Sequence, residues 1–384
     1  MYDVITVGGG PSGAYTSYLL AKEGLKVLLL DKGQPGGKLC TGVISEEAFQ
    51  SFSLDRRCIL RGIRSIEFVS PLGGGFIYEH PTPFAHAVDR KAFDSLLLDM
   101  AQEAGVSFLG EAVVTSLEVA KEGVRVRYGK NGQFQTTAQA LALATGLNRR
   151  LLRMVGLKPP DYLNAVQIET DFGGEDQVKV FLGNKIAPGS FAWVVPLGDG
   201  TAKMGMSTRR LIMPNFRRFL RSLGIKDGIA DIRSRSIPYG MAARTYTNRT
   251  LVIGDAAGHA KTTTGGGIYY GLIGASIAAE VLKEALSKGD FSEDYLQGYE
   301  ERWKERLAPE IEMGMRLRGV FSSFDDERIN KFIQFARNDG IATLINLQAK
   351  FDWQRPFFSS LLRRLDVKRL LGKNFFKLTQ QFFP

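Results

Sequence analysis

The chain begins with MYDVITVGGGPSGAYTSYLLAKEGLKVLLLDK, residues 1–32, and this stretch decides the fold. Residues 2–7 are rich in β-branched side chains, which predicts a short buried strand. The next six residues carry the pattern Gly8-x-Gly10-x-x-Gly13. Residues 14–23 then predict a helix, and residues 26–30 predict a second strand that Asp31 closes. The order of strand, glycine turn, helix and strand predicts a dinucleotide-binding βαβ unit.

Each residue of this pattern has a physical task. Gly8 permits the tight turn, Gly10 lets the backbone approach a pyrophosphate, and Gly13 lets the helix pack closely on the strand. The N-terminus of the helix offers free N–H groups and the positive end of its dipole to the phosphates. Asp31 lies where a carboxylate accepts a hydrogen bond from a ribose hydroxyl.

The composition excludes several classes of protein. The chain has 384 residues, 44% of them hydrophobic and 23% charged, which suits a globular protein of two or three domains. Cys40 and Cys58 are its only cysteines, too few for a disulfide framework, a four-cysteine zinc site or a cysteine-ligated iron–sulfur cluster. Because the first strand begins at residue 2, we expect no signal or transit peptide and a reducing cytoplasm as the location.

Positive charge is concentrated in two segments of the chain. The formal net charge is +10, and residues 201–250 hold eleven basic against two acidic residues. Residues 355–384 hold seven basic residues against one aspartate. This distribution predicts anionic partners at two places rather than a general nucleic-acid binder, although solvated basic surfaces would give the same pattern.

The remaining chain predicts an α/β protein, α+β overall, with three regions. Alternation of helix and strand signals places a Rossmann-like nucleotide-binding domain in residues 1–60, 85–158 and 241–288, interrupted by a β-meander. Longer strands in residues 61–84 and 159–240 predict a second, antiparallel-sheet domain for the substrate. Residues 289–384 are amphipathic and predict a helical C-terminal region.

Distant motifs together resemble one family. They are the N-terminal fingerprint, the segment Val88–Asp94, the glycine-rich run Leu251–Ile268, Lys38-Leu-Cys40, and the strand Phe191-Ala-Trp193-Val-Val-Pro196. In this order they resemble the geranylgeranyl reductase family of FAD-dependent oxidoreductases, within the p-hydroxybenzoate-hydroxylase-like superfamily. The resemblance covers roughly residues 1–285, and it implies one bound FAD.

The sequence departs from the family's pattern in three places. Thr145-Gly146 replaces a common Asp-Gly pair, Thr262 replaces a proline, and Cys40-Thr41-Gly42 replaces Cys-Gly-Gly. The first change puts direct use of NAD(P)H in doubt, so the electron donor stays open between NAD(P)H and a reduced ferredoxin-type carrier. The other two changes bear only on local loop geometry.

The second glycine segment supports flavin binding on physical grounds. A strand that ends in Gly254-Asp255 puts a carboxylate at the edge of the sheet where ligands bind, and Asp255 can accept from ribityl hydroxyls. The run Gly265–Gly267 bares N–H groups at a helix start, where they can stabilise a reduced, anionic flavin. By the family's pattern Arg90 reaches the cofactor, and the alternative for Arg90 is a surface ion pair with Asp94.

The candidate site residues fall into three groups. The resemblance and the glycine motifs together predict the following cofactor-binding residues: Gly8, Gly10, Ser12, Gly13, Asp31, Lys32, Cys40, Thr41, Arg90, Val114, Gly254, Asp255, Gly266, Gly267 and Ile268. Cys40 and Lys38 are the catalytic candidates, and Phe191 and Trp193 are candidates for the substrate pocket. His259 is a weaker candidate for a proton donor, with a solvent-facing polar residue as the alternative, and no metal-ligating constellation is found.

The resemblance implies a reductase that saturates prenyl C=C bonds of an isoprenoid lipid, a prenyl diphosphate or a quinone tail. The alternative is a flavin monooxygenase acting on an aromatic or lipid substrate; a non-redox flavoprotein and a lipid-binding protein also stay open.

The C-terminal residues 355–384 predict contact with the inner face of a membrane. Phe358, Leu361, Leu362 and Leu365 recur at helical spacing among basic residues. The alternative is a helix packed on the FAD domain. The oligomeric state is not predicted.

Overall fold

The computed structural model describes residues 1–37, 40–208, 211–225, 231–338 and 349–363. The strands in chain order are β1 (Tyr2–Val7), β2 (Val27–Leu30), β3 (Val43–Ser45), β4 (Ile59–Ile63), β5 (Ser65–Val69), β6 (Gly75–Glu79), β7 (Ala85–Val88), β8 (Ser107–Leu109), β9 (Val114–Ala120), β10 (Gly123–Tyr128), β11 (Phe134–Leu143), β12 (Tyr162–Asp171), β13 (Val178–Leu182), β14 (Phe191–Pro196), β15 (Thr201–Thr208), β16 (Arg233–Pro238), β17 (Tyr246–Thr247) and β18 (Thr250–Val252). The helices are α1 (Pro11–Lys22), α2 (Glu46–Ser51), α3 (Arg90–Glu103), α4 (Arg149–Met154), α5 (Ile212–Ser222), α6 (Ile268–Lys288), α7 (Glu293–Phe321), α8 (Asp326–Asn338) and α9 (Arg355–Arg363).

The first sheet is the predicted Rossmann-like sheet. Its strands lie in the order β17-β18-β11-β1-β2-β8, and β1 pairs in parallel with both β2 and β11. Helices α1, α3 and α6 share one large hydrophobic cluster against this sheet. Local signals start these helices, since Pro11 occupies the first turn of α1 and the Asp89 side chain accepts from two N–H groups of α3. The predicted fold class is confirmed.

The strand β11 corrects one sequence prediction. Two separate strands are expected near residues 133–137 and 141–146, whereas the structure has one strand, Phe134–Leu143. Its first half pairs antiparallel with β10 in the meander, and its second half pairs in parallel with β1 and β18. One strand can serve both the meander and the parallel part of the first sheet because each half pairs with a different neighbour, and no local pattern encodes that choice.

The second sheet has the strand order β16-β12-β15-β14-β13-β5-β6. It is antiparallel apart from β5 and β13, which pair in parallel because β5 arrives from a distant part of the chain. A third, small sheet joins β3, β7 and β4. Strand β4 spans the predicted domain boundary at residue 60, and it pairs with β7 rather than with a strand of either large sheet. The division into domains stays a prediction.

Helix α9 packs on protein, which corrects part of the predicted membrane face. Phe357 and Leu361 are 5% and 3% exposed and cluster with Phe76 and Tyr78 of β6 and with Ile333 of α8. The helix therefore covers the second sheet, rather than lipid or the FAD domain. Leu365 and the later aromatic pairs lie outside the described residues. Within the described ranges, no helix combines the length and the hydrophobicity needed to cross a bilayer.

Candidate functional site

One cavity lies between the glycine loops of the first sheet and the face of the second sheet. The loops contribute Gly10, Ser12, Cys40, Thr41, Arg90, Gly254, Asp255, Gly266, Gly267 and Ile268, all predicted cofactor-binding residues. Phe191 and Trp193 line the cavity from β14, as predicted for the substrate pocket. The fold therefore brings cofactor candidates and substrate candidates to a single place.

The first glycine loop forms a tight cradle. A Cβ atom on Gly13 would lie 1.9 Å from the Gly8 carbonyl oxygen, and one on Gly8 would lie 2.2 Å from the Ala144 carbonyl oxygen. Gly8 also has φ +109°, a conformation that side chains disfavour. Gly10 is the N-cap of α1 and has no side chain of its own, so the helix N-terminus faces the cavity. This cradle fits the pyrophosphate of a dinucleotide.

Asp31 closes the same loop. Its Oδ2 accepts the Gly9 N–H at 2.5 Å, and its Oδ1 accepts the Gly33 N–H at 2.9 Å. The carboxylate thus stands at the glycine turn, where the fingerprint places it. Gly8, Gly13 and Asp31 shape the loop beside the cavity, whereas Lys38 lies outside the described residues. The roles of these residues, and those of Lys32 and of Val114 at the start of β9, stay predictions.

The second glycine segment meets the first at Ser12. Gly254 has φ +70°, and a Cβ atom there would lie 2.7 Å from Ser12 Oγ. Asp255 pairs through Oδ2 with Arg235 of β16, a partner that lies 20 residues away in the chain. Its Oδ1 would lie 2.8 Å from a Cβ on Gly267, so this glycine makes room for the carboxylate. The segment fits a polyhydroxyl chain bound next to Asp255.

Arg90 lines the cavity and pairs with Asp94, while its contact with the cofactor stays a prediction. Its guanidinium lines the cavity and donates three hydrogen bonds to Asp94, at 2.7, 2.8 and 3.2 Å. The pair is buried rather than on the surface, because Arg90 is 7% and Asp94 3% exposed. Burial by itself would lower the pKa of Arg90, but the neighbouring Cys40 and Asp94 raise this pKa above its ordinary value.

Cys40 lines the cavity together with Thr41 and Arg90. Its Sγ accepts the Gly42 N–H at 3.4 Å, and its neighbour Thr41 donates through Oγ1 to Gln167 Oε1 at 2.9 Å. Gln167 belongs to β12, so this hydrogen bond ties the cysteine loop to the second sheet. The arrangement holds a thiol next to a guanidinium, where it can hold or release a proton.

The site also contains residues that the sequence analysis missed. Lys203 of β15 does not line the cavity but interacts electrostatically with Cys40 and Arg90, which do. It is 6% exposed, its Nζ lies 3.5 Å from the Val88 carbonyl oxygen, and burial lowers its pKa. The signal was a lone lysine within an eight-residue strand that is otherwise uncharged. Gln167, Arg235, Lys261 and Asp352 carried no such local signal, because their partners come from distant segments.

His259 is a core residue, which corrects both its predicted roles. It is fully buried, its Nδ1 accepts the Gly254 N–H at 3.2 Å, and its ring lies 4.6 Å from that of Trp303. Nε2 has no hydrogen-bond partner among the described residues. Burial lowers the pKa of His259 to about 3, so the imidazole is neutral and supports the turn after Gly254.

His259 should therefore make the fold sensitive to acid. The unfolded chain binds a proton at an ordinary histidine pKa of 6.5, whereas the folded chain does not until about pH 3. The contribution of His259 to the free energy of unfolding is fully present above pH 6.5 and is lost as the pH falls. At about pH 5 the loss from this group is about 2 kcal/mol. We expect urea unfolding of His259→Gln at about pH 7.5 and about pH 5 to show a pH-dependent loss smaller by that amount. His80→Gln is the control and should keep the wild-type loss; equal losses in all three proteins would contradict the assignment.

Comparisons with known proteins agree with this site. The profile of the family described as FAD dependent oxidoreductase matches residues 3–157. Digeranylgeranylglycerophospholipid reductase 2 of Methanothermobacter thermautotrophicus is 29% identical over 89% of this chain and 94% of its own length. The digeranylgeranylglycerophospholipid reductase of Methanocaldococcus jannaschii is 28% identical over 86% and 89%.

The solved structure of a geranylgeranyl bacteriochlorophyll reductase-like protein from Thermoplasma acidophilum has the same fold. It superposes with a TM-score of 0.83 at 23% identity and covers 96% of this chain and 99% of its own. The match includes the helical C-terminal region, which the motifs alone did not cover. Together with the glycine cradle, these likenesses identify FAD as the cofactor that the cavity accommodates.

Proposed function

We propose that this chain, which belongs to the geranylgeranyl reductase family of FAD-dependent oxidoreductases, saturates isolated prenyl C=C bonds of an isoprenoid lipid. The substrate class includes phospholipid ether chains, prenyl diphosphates and quinone tails, because all three present the same unactivated alkene. Curated relatives that align over most of their length are named for such a lipid, which supports this choice over the monooxygenase alternative.

One observation carries the proposal: the cavity wall opposite the FAD loops is an apolar sheet face. It is contributed by strands β5, β13, β14 and β16, whose lining residues are Ile66, Val178, Val180, Phe191, Trp193, Val195 and Ile237. The Trp193 indole packs closely against Gly205 of the neighbouring strand β15. A Cβ atom on Gly205 would lie 2.4 Å from the indole, so only glycine leaves room for it. Such a wall offers a hydrocarbon chain an apolar surface.

The reaction divides between the cofactor and the chain. FAD held by the two glycine segments would, in its reduced form, supply a hydride to one alkene carbon. The apolar wall holds the alkene in place and excludes water. Exclusion of water strengthens the electrostatic interactions around Cys40 and Arg90. We assign to the Cys40 Sγ the proton that the neighbouring alkene carbon receives, with Arg90 holding the local charge. The product then gains one hydride and one proton across the double bond.

The proposal is tested by anaerobic incubation of the holoprotein with dithionite and a prenyl lipid. Digeranylgeranylglycerol phospholipid, geranylgeranyl diphosphate and a menaquinone form three arms, and mass spectrometry should show a gain of two hydrogens per reduced bond in at least one. Protein with oxidised FAD and no reductant is the control. Replacement of dithionite by NADPH or by reduced ferredoxin identifies the electron donor.

A monooxygenase would behave differently in the same assay. It would leave all three lipids unchanged without oxygen and would insert an oxygen atom into a substrate when oxygen and a reductant are present. That pair of results would overturn the reductase proposal.

We further propose that residues 364–384 contact an anionic membrane surface. This segment has five basic residues against Asp366, together with two Phe-Phe pairs. Basic residues near an anionic leaflet contribute about 1 kcal/mol each, and the aromatic pairs add apolar burial. Such contact would let a membrane-resident prenyl chain reach the cavity without crossing water.

Removal of residues 364–384 should lower binding to vesicles that contain anionic lipid. The chain should end at Arg363, because Phe357 and Leu361 pack in the core and must be kept. Co-sedimentation should fall at least tenfold, and moderate salt should weaken binding of the full chain. Neutral vesicles are the control, together with a full-length variant in which Lys368, Arg369, Lys373 and Lys377 are glutamine. Equal binding by the full and shortened chains would contradict the proposal.

A further inference from the structure

A buried ion pair joins the second glycine segment to the C-terminal region inside the cavity. Lys261 Nζ lies 2.6 Å from Asp352 Oδ1, and the two side chains are 6% and 2% exposed. Both residues line the same cavity as Gly254 and Asp255. Asp352 Oδ2 is buried and has no hydrogen-bond partner in the part of the chain that the structure describes.

Stability alone does not account for this pair. Two charges lose their hydration when they are buried, and well-packed apolar residues of similar size are often as stabilising. The second carboxylate oxygen of Asp352 makes the cost larger, because its lone pairs are desolvated without compensation. A buried charge pair of this kind in the wall of the cavity indicates a functional role.

The lysine is held against the loop that we predict to contact the flavin ring. The Lys261 N–H donates to the Gly266 carbonyl at 3.0 Å, and the Gly265 N–H donates to the Lys261 carbonyl at 2.7 Å, so the loop closes on itself. A Cβ atom on Gly266 would lie 3.6 Å from Lys261 Nζ. The ammonium also lies 4.1 Å from the centre of the Phe351 ring.

The carboxylate is held just as firmly by a strap, which we define as residues 351–354. Tyr270 donates through its hydroxyl to the Asp352 carbonyl at 2.8 Å, and the Trp353 indole N–H donates to Glu47 at 2.7 Å. Thr263 donates to the Gln354 side chain at 2.7 Å. These contacts attach the strap to α6, to α2 and to the glycine loop. They therefore fix Asp352 in contact with Lys261.

From this geometry we propose that Lys261 and Asp352 are a positioning pair that sets the reduction potential of the bound FAD. The positive charge of Lys261 stabilises the negative charge that FAD carries when it is reduced and held as an anion. The negative charge of Asp352 offsets part of that stabilisation. Coulomb interactions in a dry cavity are stronger than in water, so each charge alone has a large influence and the pair nearly cancels. The inference rests on the FAD site of the proposed function, but not on the identity of the lipid.

The test is an equilibrium dye titration of the holoprotein, which measures the midpoint potential of the bound FAD. Asp352→Asn removes a negative charge and keeps the shape, so we expect the ratio of reduced to oxidised FAD to rise about tenfold, or about 30 mV. Lys261→Met removes the positive charge and should shift the potential the opposite way. The double variant should return close to the wild type.

Two controls make the outcome decisive. Lys283 and Glu23 form an exposed ion pair at the same 2.6 Å distance, and Lys283→Met and Glu23→Gln should leave the potential unchanged because water screens that pair. Lys261→Arg keeps the charge and should stay close to the wild type, which covers the case in which Lys261→Met loses FAD. An unchanged potential in Asp352→Asn, or single variants that shift in the same direction, would overturn the proposal. Neither result depends on lipid reduction, so the proposed function is judged separately.

Discussion

Asp255→Ala should weaken FAD binding by ten- to a hundredfold. A charge-assisted hydrogen bond contributes about 1.5–3 kcal/mol, and a carboxylate next to ribityl hydroxyls makes at least one. The change also removes the ion pair of Asp255 with Arg235, which lines the same cavity. The loss should therefore reach the upper end of that range. Fluorescence titration of the apoprotein with FAD measures it.

Asp231→Ala is the matched control for this experiment. Asp231 pairs with Arg233, the first residue of β16, but both side chains are exposed. An exposed pair contributes little, so the control should bind FAD as the wild type does. If Asp255→Ala kept the wild-type affinity, the assignment of the second glycine segment to the cofactor would be wrong.

Cys40→Ser should lower the turnover of a prenyl lipid by about a hundred- to ten-thousandfold, the usual contribution of a positioned proton donor. Serine keeps the size and the polarity of the side chain but is a much weaker acid than a thiol. The loss should fall on kcat rather than KM, and the content of bound FAD should not change. Anaerobic single-turnover oxidation of the reduced holoprotein by substrate measures the affected step.

Cys58→Ser tests whether the effect belongs to this cysteine. Cys58 packs in the core, donates its S–H to the Asp55 carbonyl at 3.2 Å, and burial raises its pKa to about 11. The substitution should leave the rate per bound FAD unchanged. Wild-type turnover in Cys40→Ser would reduce Cys40 to a packing residue of its loop.

The C-terminal strap shows that the site includes residues outside the segments that carry the family motifs. The resemblance ends near residue 285, and for residues 289–384 the sequence predicts helices and a membrane contact but no part in the cofactor site. The structure brings Phe351 and Asp352 back into the cavity, 91 positions after Lys261. Nothing in the local pattern around Asp352 distinguishes it from a surface aspartate, because its burial comes from Tyr270, Trp353 and the loop beneath it.

The nucleotide cradle and the fold class followed from the residues alone, since they depend on neighbours within a few positions. Gly8 and Gly13 are required by one turn, and Arg90 pairs with Asp94 one helical turn away, a pairing that the sequence offered. Tertiary structure decided which distant polar groups meet: Arg235 with Asp255, Lys261 with Asp352, and Arg90 with Cys40. It also moved His259 from a predicted surface loop into the core. Such pairs form only when distant segments pack together, and the burial that gives them their energy is a property of the packed molecule rather than of any stretch of chain.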